Sequence, residues 1–312
     1  GMAIAEAHLA AEFNKPDHKI VDHYVFGIVT DGDLQEGVAS EAASLAGHLK
    51  LGKIIYCYDD NRITIDGPTD ISFSEDRAKR FEAYGWHVSF VKDGNDVEEI
   101  DKAITAAKKD PRPSLIVCRT HIGYGLPTRQ DTPKAHGEPP GDEELNGAKQ
   151  KLGWPEEPRF YVPEDVKALF EKAAAKGMEA HKAWNGAVEK YTKAYPAEGK
   201  EFTRRMSGKL PQGWTSALPV FPTDEKGVAS RVASGQTLNA LAAVLPELMG
   251  GSADLTPSNN TWLKESSAFQ PDNHIGRYLH YGVREHGMAA VVNGMAYHKG
   301  MIPFGATFMV FT

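Results

Sequence analysis

The chain has 312 residues, 41% of them hydrophobic and 25% charged, which supplies a sizeable core, argues against disorder and suggests two domains. A formal charge of −7 excludes general nucleic-acid affinity, which wants a basic stripe, but anionic metabolites need only a local basic pocket. No apolar run approaches membrane-spanning length, the opening residues lack a basic secretory leader, and Cys57 and Cys118 sit in apolar runs that suit buried, reduced thiols, so a cytoplasmic enzyme without membrane contact is expected.

Residues 2–13 read as a helix with no capping residue before it. Strands then alternate with helices. The strands are expected at Tyr24–Val29, Lys53–Tyr58, Trp86–Val91 and Ser114–Arg119, and the helices at Gly37–Leu51, Ser74–Tyr84 and Val97–Lys108. The strands are continuous apolar runs, as when helices cover both faces of a parallel sheet. Residues 164–194 are rich in Ala, Lys and Glu and read as one long helix with an apolar stripe of Val166, Leu169, Phe170 and Ala173. A looser stretch with Pro196, Pro211, Pro219 and Pro222 follows, and residues 155–225 are taken as a helical interdomain connection. A second α/β pattern begins after it: helix Arg231–Leu245, strands Leu248–Ser252 and Tyr278–Val283, helix Arg284–His298, strand Met301–Thr307. The expected fold class is α/β, with two doubly wound, mostly parallel sheets flanked by helices. The domains are expected at 1–154, 155–225 and 226–312. The unfinished apolar run at Ile302–Thr312 and the uncapped first helix read as the ends of a piece cut from a longer protein, with both sheets incomplete.

Thr30-Asp31-Gly32-Asp33-Leu34-Gln35-Glu36-Gly37 follows the first strand, and Asp59-Asp60-Asn61 ends the second, Asn61 lying thirty positions after Asp31. A right-handed strand–helix–strand unit leaves both polar tips on one sheet edge, beside a helix N-terminus. Asp31 offers a carboxylate, Asn61 an amide oxygen, and the tight Asn61-Arg62-Ile63 stretch a backbone carbonyl at Ile63. With two phosphate oxygens and a water this completes the octahedron that magnesium demands. Gly32, lacking a side chain, lets its N–H approach a phosphate. Either motif alone is an ordinary turn after a strand; together they point to a metal–diphosphate site.

These elements resemble the thiamine diphosphate fingerprint. Glu36-Gly37 to Leu51-Gly52, Tyr58-Asp59-Asp60-Asn61, Arg80-Phe81-Glu82-Ala83-Tyr84-Gly85-Trp86-His87, Gly250-Gly251-Ser252-Ala253-Asp254-Leu255 and His280-Tyr281-Gly282-Val283-Arg284-Glu285 resemble the transketolase family in particular. The resemblance is weakest at 155–225. It departs at Thr30, where the family has the first glycine of Gly-Asp-Gly.

The resemblance implies thiamine diphosphate with Mg2+ (Ca2+ or Mn2+ as substitutes). Through the cofactor's ylid and an enamine, a two-carbon ketol unit would pass reversibly from a xylulose 5-phosphate type of ketose to a ribose 5-phosphate type of aldose, a step of the pentose phosphate pathway. Glu285 would hydrogen-bond the aminopyrimidine ring, carrying or sharing a proton; on local grounds alone it is equally a helix-opening acid near the dipole. His136, otherwise a plain loop histidine, would touch diphosphate and sugar. Arg231 and Ser258 would hold the sugar phosphate. Asp254 would lie near the thiazolium ring, or merely end a strand. Phe308 and Phe311, in the final strand-like run, would flank the pyrimidine, or be core. Glu36 and Glu41 resemble acids that link the paired sites of a homodimer whose active sites lie at the subunit interface. The family also carries diphosphate-loop and histidine elements upstream, and donor-site residues and a third domain downstream, so the piece alone is expected to be inactive. Dihydroxyacetone synthase, deoxyxylulose phosphate synthase and a non-catalytic nucleotide- or metal-binding module remain alternatives.

Overall fold

The computed structural model describes residues 1–223 and 225–312. In chain order the elements are α1 (Met2–Phe13), β1 (Val25–Thr30), α2 (Asp31–Gln35), α3 (Gly37–His48), β2 (Ile54–Asp60), α4 (Arg77–Ala83), β3 (His87–Val91), α5 (Val97–Ala107), β4 (Ser114–Arg119), α6 (Lys134–Gly137) and α7 (Asp142–Lys151). Then come α8 (Glu164–Ala194), α9 (Pro196–Met206), α10 (Ser230–Ala242), β5 (Leu248–Ser252), α11 (Thr256–Asn259), β6 (Tyr278–His280), α12 (Glu285–His298) and β7 (Ile302–Ala306). The chain forms two compact units. The four-stranded unit comprises Phe26–Gly37 and Ile54–Asn185; the three-stranded unit comprises Gly1–Val25, Val38–Lys53 and Gly186–Thr312.

In the four-stranded unit the strand order is β1-β2-β4-β3. β2 and β3 both run parallel to β4, with Ile55 and His87 each opposite Ser114. The C-terminal ends of these three strands therefore share one edge, where ligands bind in such sheets. Leu115, Ile116, Val117 and Cys118 are buried, as befits a central strand. The helices α4 and α5 pack on β3 and β4. Each is started by an aspartate cap: Asp76 accepts from the Lys79 N–H at 3.1 Å and Asp96 from the Glu99 N–H at 2.9 Å. The outer strands depart from the expected two-sided burial. Phe26, Ile28 and Phe90 are 52%, 79% and 63% exposed, because β1 and β3 are edges.

The three-stranded unit has the order β6-β5-β7, all parallel. Its central strand is buried throughout. A Cβ on Gly250 would sit 2.0 Å from the Phe304 carbonyl oxygen, and one on Gly251 1.7 Å from that of Leu279, so only glycine permits this sheet spacing. Leu245, Leu248, Leu263 and Tyr278 form a core that Trp214, Ile302 and Phe304 extend. The helix α12 packs on α1 and β7. Arg205, 3% exposed, forks both carboxylate oxygens of Glu12 at 2.6 and 2.8 Å and reaches Glu201 at 2.9 Å. Arg204 bridges Glu201 and Glu247.

The segment 155–225 corrects two expectations; its position 224 lies outside the described residues. The first part of the stretch, Pro196–Met206, is helical rather than loose, since proline at the first helical position gives up only an N–H that has no partner there anyway, whereas Pro211, Pro219 and Pro222 lie outside helices as expected. The apolar stripe of α8 is not buried: Leu169 and Phe170 are 64% and 71% exposed. Thirty-one residues rich in Ala, Lys and Glu hold a helix by propensity and length, without the packing the stripe suggested. Among the described residues no helix is long and apolar enough to cross a membrane. Both cysteines are free thiols, Cys118 buried and Cys57 half-buried.

Candidate functional site

At the end of β1, Thr30 caps α2, a short helix that the sequence reading passed over. Its hydroxyl accepts from the Asp33 N–H at 3.4 Å, and the Asp33 carboxylate takes the Thr30 N–H at 2.8 Å, a reciprocal capping box. Thr30 has an ordinary extended φ of −114°, so a β-branched residue fits where the resembled family has glycine. The next residue, Asp31, is 1% exposed. One carboxylate oxygen accepts the Tyr58 hydroxyl; the other accepts the Arg62 N–H at 3.0 Å. Arg62 has φ +66°, a left-handed step that makes the stretch after Asn61 tight. The Asn61 amide oxygen accepts the Ile63 N–H at 2.9 Å, fixing the orientation of that side chain.

Behind Asp31 lies a second layer of side chains. Arg77 donates from Nε to the Tyr58 hydroxyl at 3.1 Å and from Nη2 to Asp60 at 3.2 Å. Burial pushes the Asp31 carboxyl above the usual carboxylate range, partly offset by the Tyr58 and Arg62 hydrogen bonds. Burial and the neighbouring Asp31 push the Tyr58 phenol up as well, so it remains a donor. Tyr58, Asp60 and Arg77 were not foreseen as the network behind Asp31. The phrase Tyr58-Asp59-Asp60-Asn61 was visible, but nothing in it tells which of four polar neighbours turns inward.

Asp31, Gly32, Asn61, Ile63 and His136 line one cavity of about 880 Å³, together with His121. A Cβ on Gly32 would meet only the Thr30 hydroxyl oxygen, at 3.7 Å, so the glycine keeps that wall open. His136 sits in the short helix α6, exposed at the rim of this cavity. His121 pairs through Nδ1 with Asp131 at 2.9 Å, a link not foreseen across ten residues.

In the three-stranded unit the candidate residues stand further apart. Glu285 is the first residue of α12 and half-buried. The turn before it is pinned by Arg284, which donates to the Tyr281 carbonyl at 2.9 Å and the Ser44 hydroxyl at 3.0 Å. Glu41 accepts the Gly287 N–H at 2.6 Å, meeting the positive end of α12 with a carboxylate. Asp254 follows β5 with φ +58°, a strained value for a residue with a side chain. It lines a cavity of about 330 Å³ with Ser44, His48, His280 and Arg284. Arg231 and Ser258 are exposed, in α10 and α11; their neighbours Val232 and Pro257, not they, line a cavity of about 660 Å³. Phe308 and Phe311 correct the reading of a final strand. β7 ends at Ala306, and the two aromatics fall in the following turn, Phe311 52% exposed.

Comparison with known proteins fits these features. Residues 1–211 match the family model described as transketolase, thiamine diphosphate binding domain, and residues 226–312 that described as transketolase, pyrimidine binding domain. The chain is 53% identical over its full length to a transketolase of Nostoc sp. and 48% identical to that of Halalkalibacterium halodurans, covering 47% of each. A solved transketolase from Leishmania mexicana superposes with a TM-score of 0.95 at 46% identity, over 99% of this chain and 46% of that one. A Pichia stipitis transketolase in complex with sedoheptulose 7-phosphate gives 0.96 at 42%, over 99% of this chain and 47% of that one. The chain belongs to the transketolase family. It spans about half the length of the curated relatives it matches.

The residues present fit a divalent cation and a diphosphate. Among the described residues no group of three or more His, Cys, Asp or Glu could hold a metal ion by itself. Asp31 instead offers one buried carboxylate, paired only with neutral donors and facing a cavity, beside the amide oxygen of Asn61. A hard cation that completes its shell with phosphate oxygens suits such a sparse set.

Proposed function

We propose that this chain supplies the cofactor-binding parts of a transketolase, which moves a two-carbon ketol unit from a ketose phosphate to an aldose phosphate with thiamine diphosphate and Mg2+. The observation that carries the reading is the burial of Asp31 at a cavity shared with Gly32, Asn61, Ile63 and His136. When bound, the cofactor would supply a nucleophilic carbon and an electron sink. Asp31, Asn61 and the Ile63 carbonyl would hold the cation, the Gly32 N–H the diphosphate, and His136 would donate to diphosphate and sugar. Glu285 would share a proton with the pyrimidine ring, with Phe308 and Phe311 against its faces and Asp254 near the thiazolium. Arg231 and Ser258 would take the sugar phosphate.

The division at 1–154, 155–225 and 226–312 goes with this reading. So does a homodimer in which the cavity of one copy faces Glu285 of the other, since the candidate residues divide between the two units. A cytoplasmic setting goes with this reading. The Glu285→Gln variant tests the proposal. In the full-length protein, cofactor binding should persist while ketol transfer falls by about 100-fold or more, the usual loss with an acid–base group. Unchanged transfer would overturn the role of Glu285.

A further inference from the structure

At the far end of α12, two histidines meet through their ring nitrogens. His298 closes the helix, and its Nε2 lies 2.9 Å from Nε2 of His23, in the segment leading into β1. The rings are within 23° of parallel, but their centroids are 4.9 Å apart, well beyond the nitrogen separation, so they meet edge to edge and not face to face. Both are accessible to solvent. We propose that His23 and His298 form a surface site for a single transition-metal ion of tetragonal preference, Cu2+ or Ni2+, with water filling the remaining positions.

Several features prepare the pair for this. The Nδ1 of His298 lies 3.0 Å from the Lys299 carbonyl oxygen, which can only accept, so Nδ1 carries the proton and Nε2 presents its lone pair. Donation of the other ring N–H to a carbonyl is the usual outer-shell partner of a metal-bound histidine. Lys299 turns back with φ +70°, which sets that carbonyl in place. His23 is held from both sides. Asp22 pairs with Lys53, and the Lys53 ammonium lies 5.3 Å from the Tyr24 ring centroid. The closeness of the two nitrogens favours one geometry over another. Metal–imidazole bonds of about 2.0–2.1 Å span about 2.9 Å between nitrogens at a right angle, but about 3.3–3.4 Å in a tetrahedron. The two nitrogens now share an N–H···N hydrogen bond of 2.9 Å, so they already stand as close as neighbouring ligands of a square-planar or tetragonal ion, and a small rotation of the rings turns both lone pairs to the ion. Binding requires His23 to pass its ring proton from Nε2 to Nδ1, with no net proton released.

The site is separate from the proposed cofactor groups. Fourteen residues of α12, at about 1.5 Å each, place it about 20 Å from Glu285. It ties the end of that helix to the segment before β1, so an ion there should raise thermal stability. Untagged protein titrated with CuCl2 or NiCl2 in a calorimeter should take up one ion per chain, and electron paramagnetic resonance of the copper form should show two equivalent nitrogens. His23→Gln and His298→Gln should each weaken copper binding by at least about 100-fold, since loss of an outer-shell partner alone costs about 10–100-fold, and abolish the thermal shift. His181→Gln, in α8, should bind as the wild type. Copper binding unchanged in both His23→Gln and His298→Gln, each checked for fold by circular dichroism, would overturn the site. None of these readouts involves thiamine diphosphate or ketol transfer.

Discussion

The two units position their candidate residues by different means. In the four-stranded unit, Asp31 is buried and held by Tyr58 and Arg62, and Arg77 joins Tyr58 to Asp60 behind it. In the three-stranded unit Glu285, Asp254, Arg231 and Ser258 are half-buried or exposed, and strand ends and helix starts place them. On the proposed reading, Asp31 would be oriented in advance for a cation by donors that cannot replace it, while the groups proposed to meet a ring or a sugar are set by the backbone alone. The three-stranded unit spends its buried polar network elsewhere, on the Arg204, Arg205, Glu12, Glu201 and Glu247 cluster that ties helices together.

That contrast can be broken from either side. The largest effect is expected from Arg205→Ala. It takes the guanidinium fork from Glu12 and one of two arginines from Glu201, which keeps Arg204, and loss of one partner of a buried ion pair costs about 3–5 kcal/mol. Urea unfolding should show it, and a loss under about 1 kcal/mol would mean the cluster is solvated. Tyr58→Phe comes next. It removes the donor to Asp31 and the acceptor for Arg77, at about 1–3 kcal/mol. It should also weaken magnesium-dependent cofactor binding by about 10–100-fold, as expected for a residue that orients a ligand. Stability lost without any change in cofactor affinity would show that the tyrosine only packs.

A pH titration sharpens the same comparison. Hydrogen bonds from Arg204 and then Arg205 hold the Glu201 carboxyl down at about 2, below its unfolded value. A depressed acid stabilises the fold above the unfolded pKa and loses that contribution as pH falls towards 2. Stability should therefore drop between about pH 4.5 and pH 2, and Glu201→Gln should flatten the drop. An equal slope in the variant would assign the acid sensitivity to other groups. The smallest effect is expected at Phe170→Ser. On an exposed helix face it should change stability by no more than about 0.5 kcal/mol. A large loss in the native protein would reveal a partner for that face.

Much of the fold was legible because apolar runs and helical periodicity report burial directly. Ser114–Arg119 and Leu248–Ser252 were placed without error, and the long helix at 164–194 matched residue for residue. Its stripe was misread because periodicity shows which face is apolar but not whether anything covers it. The edge strands β1 and β3 were misjudged for a related reason: position in a sheet is set by strand order, which local pattern does not contain. The meeting of Asp31, Asn61 and Ile63 at one cavity was readable because a turn after a strand has few outcomes. Tyr58 and Arg77 are nineteen residues apart and meet only once the sheet forms. The helix α2 was hidden by its five-residue length, too short for any period to register.

The central claim is that the cavity walled by Asp31, Asn61 and Ile63 takes the cation and the diphosphate. Isothermal calorimetry of thiamine diphosphate in the presence of magnesium, on the wild type and on Asp31→Asn, tests it most directly. Saturable, magnesium-dependent heat that falls by at least about 100-fold in affinity in the variant is the predicted result. Equal affinity in the two proteins, or binding indifferent to magnesium, would contradict it.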